Sequence, residues 1–299
     1  MHHEPFFSIV VPTYNRPALL ATALDSIKAQ NIPGIEVIVV DDDSEVAYPH
    51  LHSDQLTIKY FKLSKNAGAA AARNYGVAHA TAEWLVFLDD DDQFAPGYLQ
   101  TLREHIDQDR AQHYGFYWSS VRILDDSGAS RTRTWPTNFM GREDLFSHAI
   151  SIGTSFGLAV RRQVFLDVGG FDPRFTVAED VELVTKLLAR ESLPRYLPIV
   201  GVIKNERHLD RLSSSPRLYS DENIYERLIS MHAEFFRSYP ACQRSLLLWS
   251  AAVHRLSGAL LKELGNLRDL WRLGFRKDLI LYLFDRTKTF RQLGFSRNS

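Results

Sequence analysis

Two short, nearly unbroken apolar runs rich in Val and Ile, residues 6–11 and 35–40, set the pattern of the chain. Runs of this kind predict strands covered on both faces of a parallel sheet. Between them, residues 17–30 place Leu20, Leu24 and Ile27 at helical spacing with Pro17 at the first turn, which predicts a helix. Residues 58–61 predict a third strand, 69–79 a second helix, and 84–88 (WLVFL) a fourth strand that runs into Asp89-Asp90-Asp91-Asp92. Further strands are expected at 114–124, 153–160 and 198–203, with a helix at 179–191, and from residue 223 onward the pattern is helical throughout. Strand and helix alternate, so the expected fold class is α/β: a mostly parallel open sheet flanked by helices, with a C-terminal helical extension. Polar clusters follow three of the strands (PTYNR, DDDS and DDDD). In such sheets ligands sit beyond the carboxyl ends of the strands, so these clusters are expected to converge on one site.

Composition narrows the class. Of 299 residues, 45% are hydrophobic and 24% charged, as in a globular chain with a large core. A lone cysteine, Cys242, has no intramolecular partner for a disulfide, and cytoplasmic placement is the expectation. MHHEPFFSIVV passes directly into polar residues and reads as a first strand, not a signal segment. No run approaches the roughly 18 apolar residues of a membrane span. The balanced net charge of −1 hides an asymmetry: residues 1–215 carry 21 Lys/Arg against 28 Asp/Glu, and residues 216–299 carry 14 against 8. Ser213-Ser214-Ser215-Pro216 marks the expected boundary between a catalytic domain, 1–215, and a basic helical region, 216–299.

Four consecutive carboxylates after an apolar strand raise one another's pKa unless a cation neutralises them. A hard divalent ion, Mn2+ or Mg2+, takes one or two carboxylates and completes its shell with water and phosphate oxygens, which makes Asp91 a candidate ligand. A solvated acidic turn capping the next helix is the competing reading. The loop 66–74, NAGAAAARN, puts small residues and then Arg73 at a helix start, an arrangement suited to a diphosphate but equally to close packing. It is not a Walker loop, and no GxGxxG occurs in the chain. Glu179-Asp180 opens a helix, where acids favour the macrodipole; the same pair is placed to supply a general base. His208 offers a neutral imidazole to the metal or a structural hydrogen bond.

Taken in order, SIVVPTYNR, VIVVDDDS, NAGAAAARNYG, WLVFLDDDD, GGFDPRF and AED resemble the inverting family 2 glycosyltransferases with a GT-A fold, over about residues 6–213. The resemblance implies that Pro12, Thr13, Tyr14 and Asp42 hold the nucleobase and that Arg73 contacts the nucleotide. It implies Asp89 and Asp90 on the sugar side, Asp91 on the metal, with the register within the Asp run open by one residue. Asp180 becomes the base, and His208, followed by Arg211 and Ser213, matches the family's late histidine. The implied reaction is a single displacement moving a hexosyl or N-acetylhexosaminyl group from a nucleotide-sugar donor, UDP foremost, to a glycan or lipid-linked hydroxyl in polysaccharide assembly. Glu182 stands where the family often has Asp. The alternatives are a non-catalytic nucleotide-sugar or partner-binding module and a nucleotidyltransferase, for which PTYNR is the wrong loop.

Residues 262–297 interleave nine Lys/Arg with Leu, Ile, Trp, Phe and Tyr. Amphipathic helices of this composition suit peripheral contact with an anionic membrane's inner face; packing on the catalytic domain, or on a second subunit in a homo-oligomer, is the other expectation. The acidic catalytic part argues against nucleic acid as a partner.

Overall fold

The computed structural model describes residues 4–48, 56–125, 128–205, 220 and 223–284. The two opening apolar runs form β1 (Phe7–Thr13) and β2 (Ile35–Asp41), every residue of which is buried. They are joined by α1 (Pro17–Lys28), whose Leu20, Ala23, Leu24 and Ile27 face the sheet. β3 (Thr57–Lys62) and α2 (Ala69–Ala78) lead into β4 (Trp84–Phe87). The order β3-β2-β1-β4 is parallel throughout. α2 lies close on this sheet because Gly76 has no side chain: a Cβ there would run into Val10 Cγ1.

Beyond β4 the sheet changes character. β5 (Asp92–Phe94), α3 (Tyr98–Gln108), β6 (Phe116–Leu124) and β7 (Ser130–Arg133) precede α4 (Arg142–Ala149). β8 (Ala159–Arg161), α5 (Arg162–Asp167), α6 (Glu179–Ala189) and β9 (Pro194–Asn205) follow. The sheet continues β4-β8-β6-β9-β5 with β7 paired to β6, and only the β6–β9 pair of this half is parallel. The expected strand at 153–160 is instead a 3-10 turn, Thr154–Phe156, and the three-residue β8. β9 begins four residues earlier than its apolar core suggests, since alternation with Arg195 follows the pairing with β6.

At the amino-terminal ends of these strands, Glu36 ties four segments together. Its Oε1 accepts from Ser8 Oγ (2.5 Å), Thr81 N (2.7 Å) and Thr81 Oγ1 (2.8 Å), and its Oε2 from Lys59 Nζ (2.7 Å). Burial opposes ionisation, but Lys59, Ser8 and Thr81 hold the carboxyl below its ordinary 4.5. Its contribution is therefore complete above the unfolded value and is lost as pH falls through the lower folded one. Glu36→Ala is expected to cost on the order of 3 kcal/mol at pH 7 and less as pH falls below 4.5, read from urea unfolding. A pH-independent loss would show that packing alone holds this corner.

The chain divides into two compact units: the described parts of Met1–Phe139 with Ile152–Leu209, and of Met140–Ser151 with Asp210–Ser299. The second contains α4 together with α7 (Ile224–Met231), α8 (Ala233–Ser238), α9 (Pro240–Leu256), α10 (Leu260–Arg272) and α11 (Arg276–Phe284). Leu247, Ala251, Ala252, Leu267, Leu270 and Tyr282 form a core of this unit. Glu226 Oε1 accepts there from Ser250 (2.5 Å), His254 (2.7 Å) and Asn266 (3.2 Å). The expected boundary at 213–216 lies outside the described residues.

Candidate active site

Register brings the polar clusters together. Thr13 pairs with Asp41 across β1 and β2, and Leu88 N donates to Val10 O, so the segments after β1, β2 and β4 meet at one edge. Asn15, in the left-handed region at φ 55°, binds the first two loops: its amide donates to Ser44 Oγ (2.8 Å) and its Oδ1 accepts from Glu45 N (2.8 Å). Pro12 and Thr13 are buried, and Tyr14 is exposed. Asp42, also buried, accepts from Ala67 N and Gly68 N, each at 2.8 Å, one on each carboxylate oxygen. In this structure Asp42 therefore shapes the small-residue loop, and Gly68 (φ 85°) takes the conformation that lets α2 begin there.

The four aspartates diverge. Asp90 turns toward β1, where its Oδ2 accepts from Thr13 Oγ1 (2.7 Å) and its Oδ1 faces Arg16 Nη1 (3.4 Å). Burial, helped by the charges of Asp91 and Asp89, pushes the Asp90 carboxyl up to about 6 against the pull of Thr13 and Arg16. Asp89, Asp91 and Asp92 each offer an oxygen within 4.8 Å of the others, and Asp91 Oδ2 also faces Arg16 Nη1 (3.6 Å), so that Arg16 lies beside both Asp90 and this cluster. Oxygens about 2.1–2.5 Å from a shared ion lie roughly 3–5 Å apart, and a set made only of carboxylate oxygens suits a hard divalent cation. The resemblance puts Asp89 and Asp90 on the sugar side and Asp91 on the metal, with the register open by one residue; the cluster takes in Asp89, Asp91 and the next residue of the run, Asp92.

Arg73 is the hub. The residue is 4% exposed, and its guanidinium donates to Asp89 Oδ1 (2.6 Å) and Glu179 Oε1 (2.8 Å) and stands 5.3 Å from the centre of the Phe171 ring. Arg73 thus braces two carboxylates 90 residues apart in the chain, where the sequence suggested a diphosphate contact. Beside Glu179, at the start of α6, Asp180 Oδ1 accepts from Val181 N (2.8 Å). Burial first, then the charge of Glu179, raise Asp180 to about 7 despite Arg73 and the Val181 amide. Its carboxylate lies against Gly153, where a Cβ would collide with Oδ2. The following residues close the site: Thr154 Oγ1 donates to Asp89 Oδ2 (3.3 Å), and Lys204 Nζ donates to Ser155 Oγ (2.9 Å). His208, Arg211 and Ser213 lie outside the described residues.

The family model for glycosyl transferase family 2 matches residues 8–169, more than half of the chain and the stretch that carries the three strand-end clusters, Arg73 and Gly153. The chain belongs to this family. Among curated relatives, the succinoglycan biosynthesis protein ExoO of Rhizobium meliloti is 34% identical over 246 residues, covering 79% of this chain and 69% of ExoO. The GalNAc(5)-diNAcBac-PP-undecaprenol beta-1,3-glucosyltransferase of Campylobacter jejuni is 38% identical over 117 residues, 37% of this chain and 38% of that enzyme. The chain spans less than two thirds of the length of several curated relatives it matches. Among solved structures, residues 1–349 of S. aureus TarS in complex with UDP-GlcNAc align with a TM-score of 0.68 and 22% identity, over 89% of this chain and 81% of that one. A mannosyltransferase from Pyrobaculum calidifontis in complex with GDP-Man and Mn2+ aligns with a TM-score of 0.64 and 19% identity, over 98% and 84%. The fold of this family 2 chain is accordingly GT-A, a mixed α/β sheet flanked by helices.

Proposed function

We propose that this family 2 chain transfers a sugar from a nucleoside-diphosphate donor, a UDP-sugar, to a hydroxyl of a glycan or lipid-linked acceptor in polysaccharide assembly, with inversion. One observation carries the reading: Arg73 joins Asp89 of the carboxylate cluster to Glu179, directly beside the raised carboxyl of Asp180. Metal-type ligands and a base with a pKa near neutrality thereby share one site. The relatives support the substrate class, one being named for succinoglycan biosynthesis and another for glucosyl transfer to an undecaprenol-linked glycan.

Asp180 accepts the proton of the acceptor hydroxyl as its oxygen forms the bond to the anomeric carbon. The bond from that carbon to the donor's diphosphate oxygen breaks, and the nucleoside diphosphate leaves from the opposite face. A Mn2+ or Mg2+ ion held by Asp91 with Asp89 and Asp92 would supply Lewis-acid neutralisation of the diphosphate. Arg73 keeps Asp89 and Glu179 in place, Pro12, Thr13 and Tyr14 border the base end, and Asp42 sets the loop below it.

Asp91→Asn is expected to weaken calorimetric binding of UDP in the presence of Mn2+ by at least about tenfold, since even outer partners of a metal site commonly control 10–100-fold. GDP serves as the comparison nucleotide. Equal affinities for wild type and variant, with and without Mn2+, would remove Asp91 from the metal site.

A further inference from the structure

α10 is apolar beyond the face that it buries. Glu263, Asn266, Leu267 and Leu270 point into the helical unit and are buried. Around the helix axis, Leu260, Trp271, Leu264, Arg268, Leu261 and Arg272 fall in that order within about 120°, beginning about 20° from buried Leu267. This second face is open to solvent: Leu261 is 84% exposed, Leu260 61%, Leu264 52% and Trp271 51%. Large side chains grouped so densely on one exposed face mark an interaction surface, unlike the scattered single leucines of an ordinary exterior.

The charge around this face is one-sided. Arg276 lays its guanidinium 4.7 Å from the centre of the Trp271 ring, which joins the start of α11 to the exposed side of α10, and Lys277 follows it, exposed. The acids of the two helices are engaged elsewhere or only weakly opposed. Glu263 is buried and bonded by Arg255 and Tyr282, Asp278 pairs with Arg244 at 2.8 Å, and Asp269 meets Arg268 and Arg272 at 3.3 and 3.6 Å in exposed pairs. Exposed pairs of that length contribute little. A tryptophan and leucines framed by arginines match a bilayer boundary, where apolar groups enter the acyl region and cations meet anionic headgroups. A second copy of the chain would instead bring two basic faces together, within a region that carries 14 Lys/Arg against 8 Asp/Glu.

We infer that the exposed face of α10, extended by Arg276 and Lys277, is a docking surface for a bilayer containing anionic phospholipid. The surface belongs to the helical unit alone and is independent of the catalytic chemistry.

The test is cosedimentation of the full chain with vesicles of phosphatidylcholine alone and of phosphatidylcholine mixed with phosphatidylglycerol. Preferential binding to the anionic vesicles is expected, weakening as salt is raised. About 1 kcal/mol per basic residue near such a surface is roughly a fivefold change in partitioning, so Arg268→Glu/Arg272→Glu is expected to lose at least about tenfold. Leu261→Glu/Leu264→Glu, also on the solvent side, is expected to lose binding comparably, with the melting temperature of both variants unchanged. Equal binding to both vesicle types, or none to either, overturns the inference. So does a dimer in sedimentation velocity that the leucine variant dissociates without any vesicle binding, which would assign the face to self-association.

Discussion

Asp180→Asn is expected to lower kcat about 10²–10⁴-fold while donor affinity, measured by calorimetry with Mn2+, stays within about threefold. The amide keeps the size of the carboxyl and its acceptor for the Val181 amide but cannot take a proton from the acceptor hydroxyl. A second effect separates this from simple damage. The Asp180 carboxyl, ordinarily at 3.8, is raised to about 7 by burial and by Glu179. Ionising it in the folded protein is therefore unfavourable, a cost absent below the unfolded value and complete once pH exceeds the folded one. Asp180→Asn removes that cost, so it is expected to stabilise the protein at pH 8 by on the order of 1–3 kcal/mol and to change little at pH 4. A variant that loses activity but gains stability only on the alkaline side has the signature of a strained functional group. Transfer retained within tenfold, or destabilisation at pH 8, would remove Asp180 from the role of base.

Gly153→Ala is expected to act through the same carboxylate. Gly153 sits at φ −138° and ψ −176°, an extended backbone open to any residue, so alanine brings no local strain. Its methyl group would collide with Asp180 Oδ2 and drive the carboxylate aside. Displacement of a reacting group by about 1 Å commonly costs on the order of 10²-fold, and that loss is expected in kcat with the donor KM nearly unchanged. Combined with Asp180→Asn, the alanine is expected to add almost no further loss, since both act on one group. Additive losses in the double variant would place the effect of Gly153 on the fold instead.

The framework was readable because buried parallel strands are continuous apolar words. Residues 6–11, 35–40 and 84–88 announced β1, β2 and β4, and Leu20, Leu24 and Ile27 announced α1. The segment at 153–160 misled because its apolar letters serve a turn: Gly153 makes room for Asp180, and Gly157, at φ 64°, reverses the chain before the short β8. β5 and β7 are three and four residues long, too short for a pattern, and only their partners define them. Within the site, the run of four aspartates showed that charge collects after β4, but not where each carboxylate points. That follows from a turn closed by Asp92 N donating to Asp89 O, where strand alternation has already ended. The pairing of Arg73 with Glu179 joins positions 106 residues apart, which no local pattern encodes.

That long reach bears on how the molecule can be divided. The segment common to the family model, 8–169, ends before both Glu179 and β9. A fragment cut there would keep Arg73 without Glu179 and leave β6 without the strand that joins it to β5. An interior cation stripped of one partner is expensive to keep dry. The part that defines the family is thus not a self-sufficient module, and the smallest portable piece of this chain must run through Asn205.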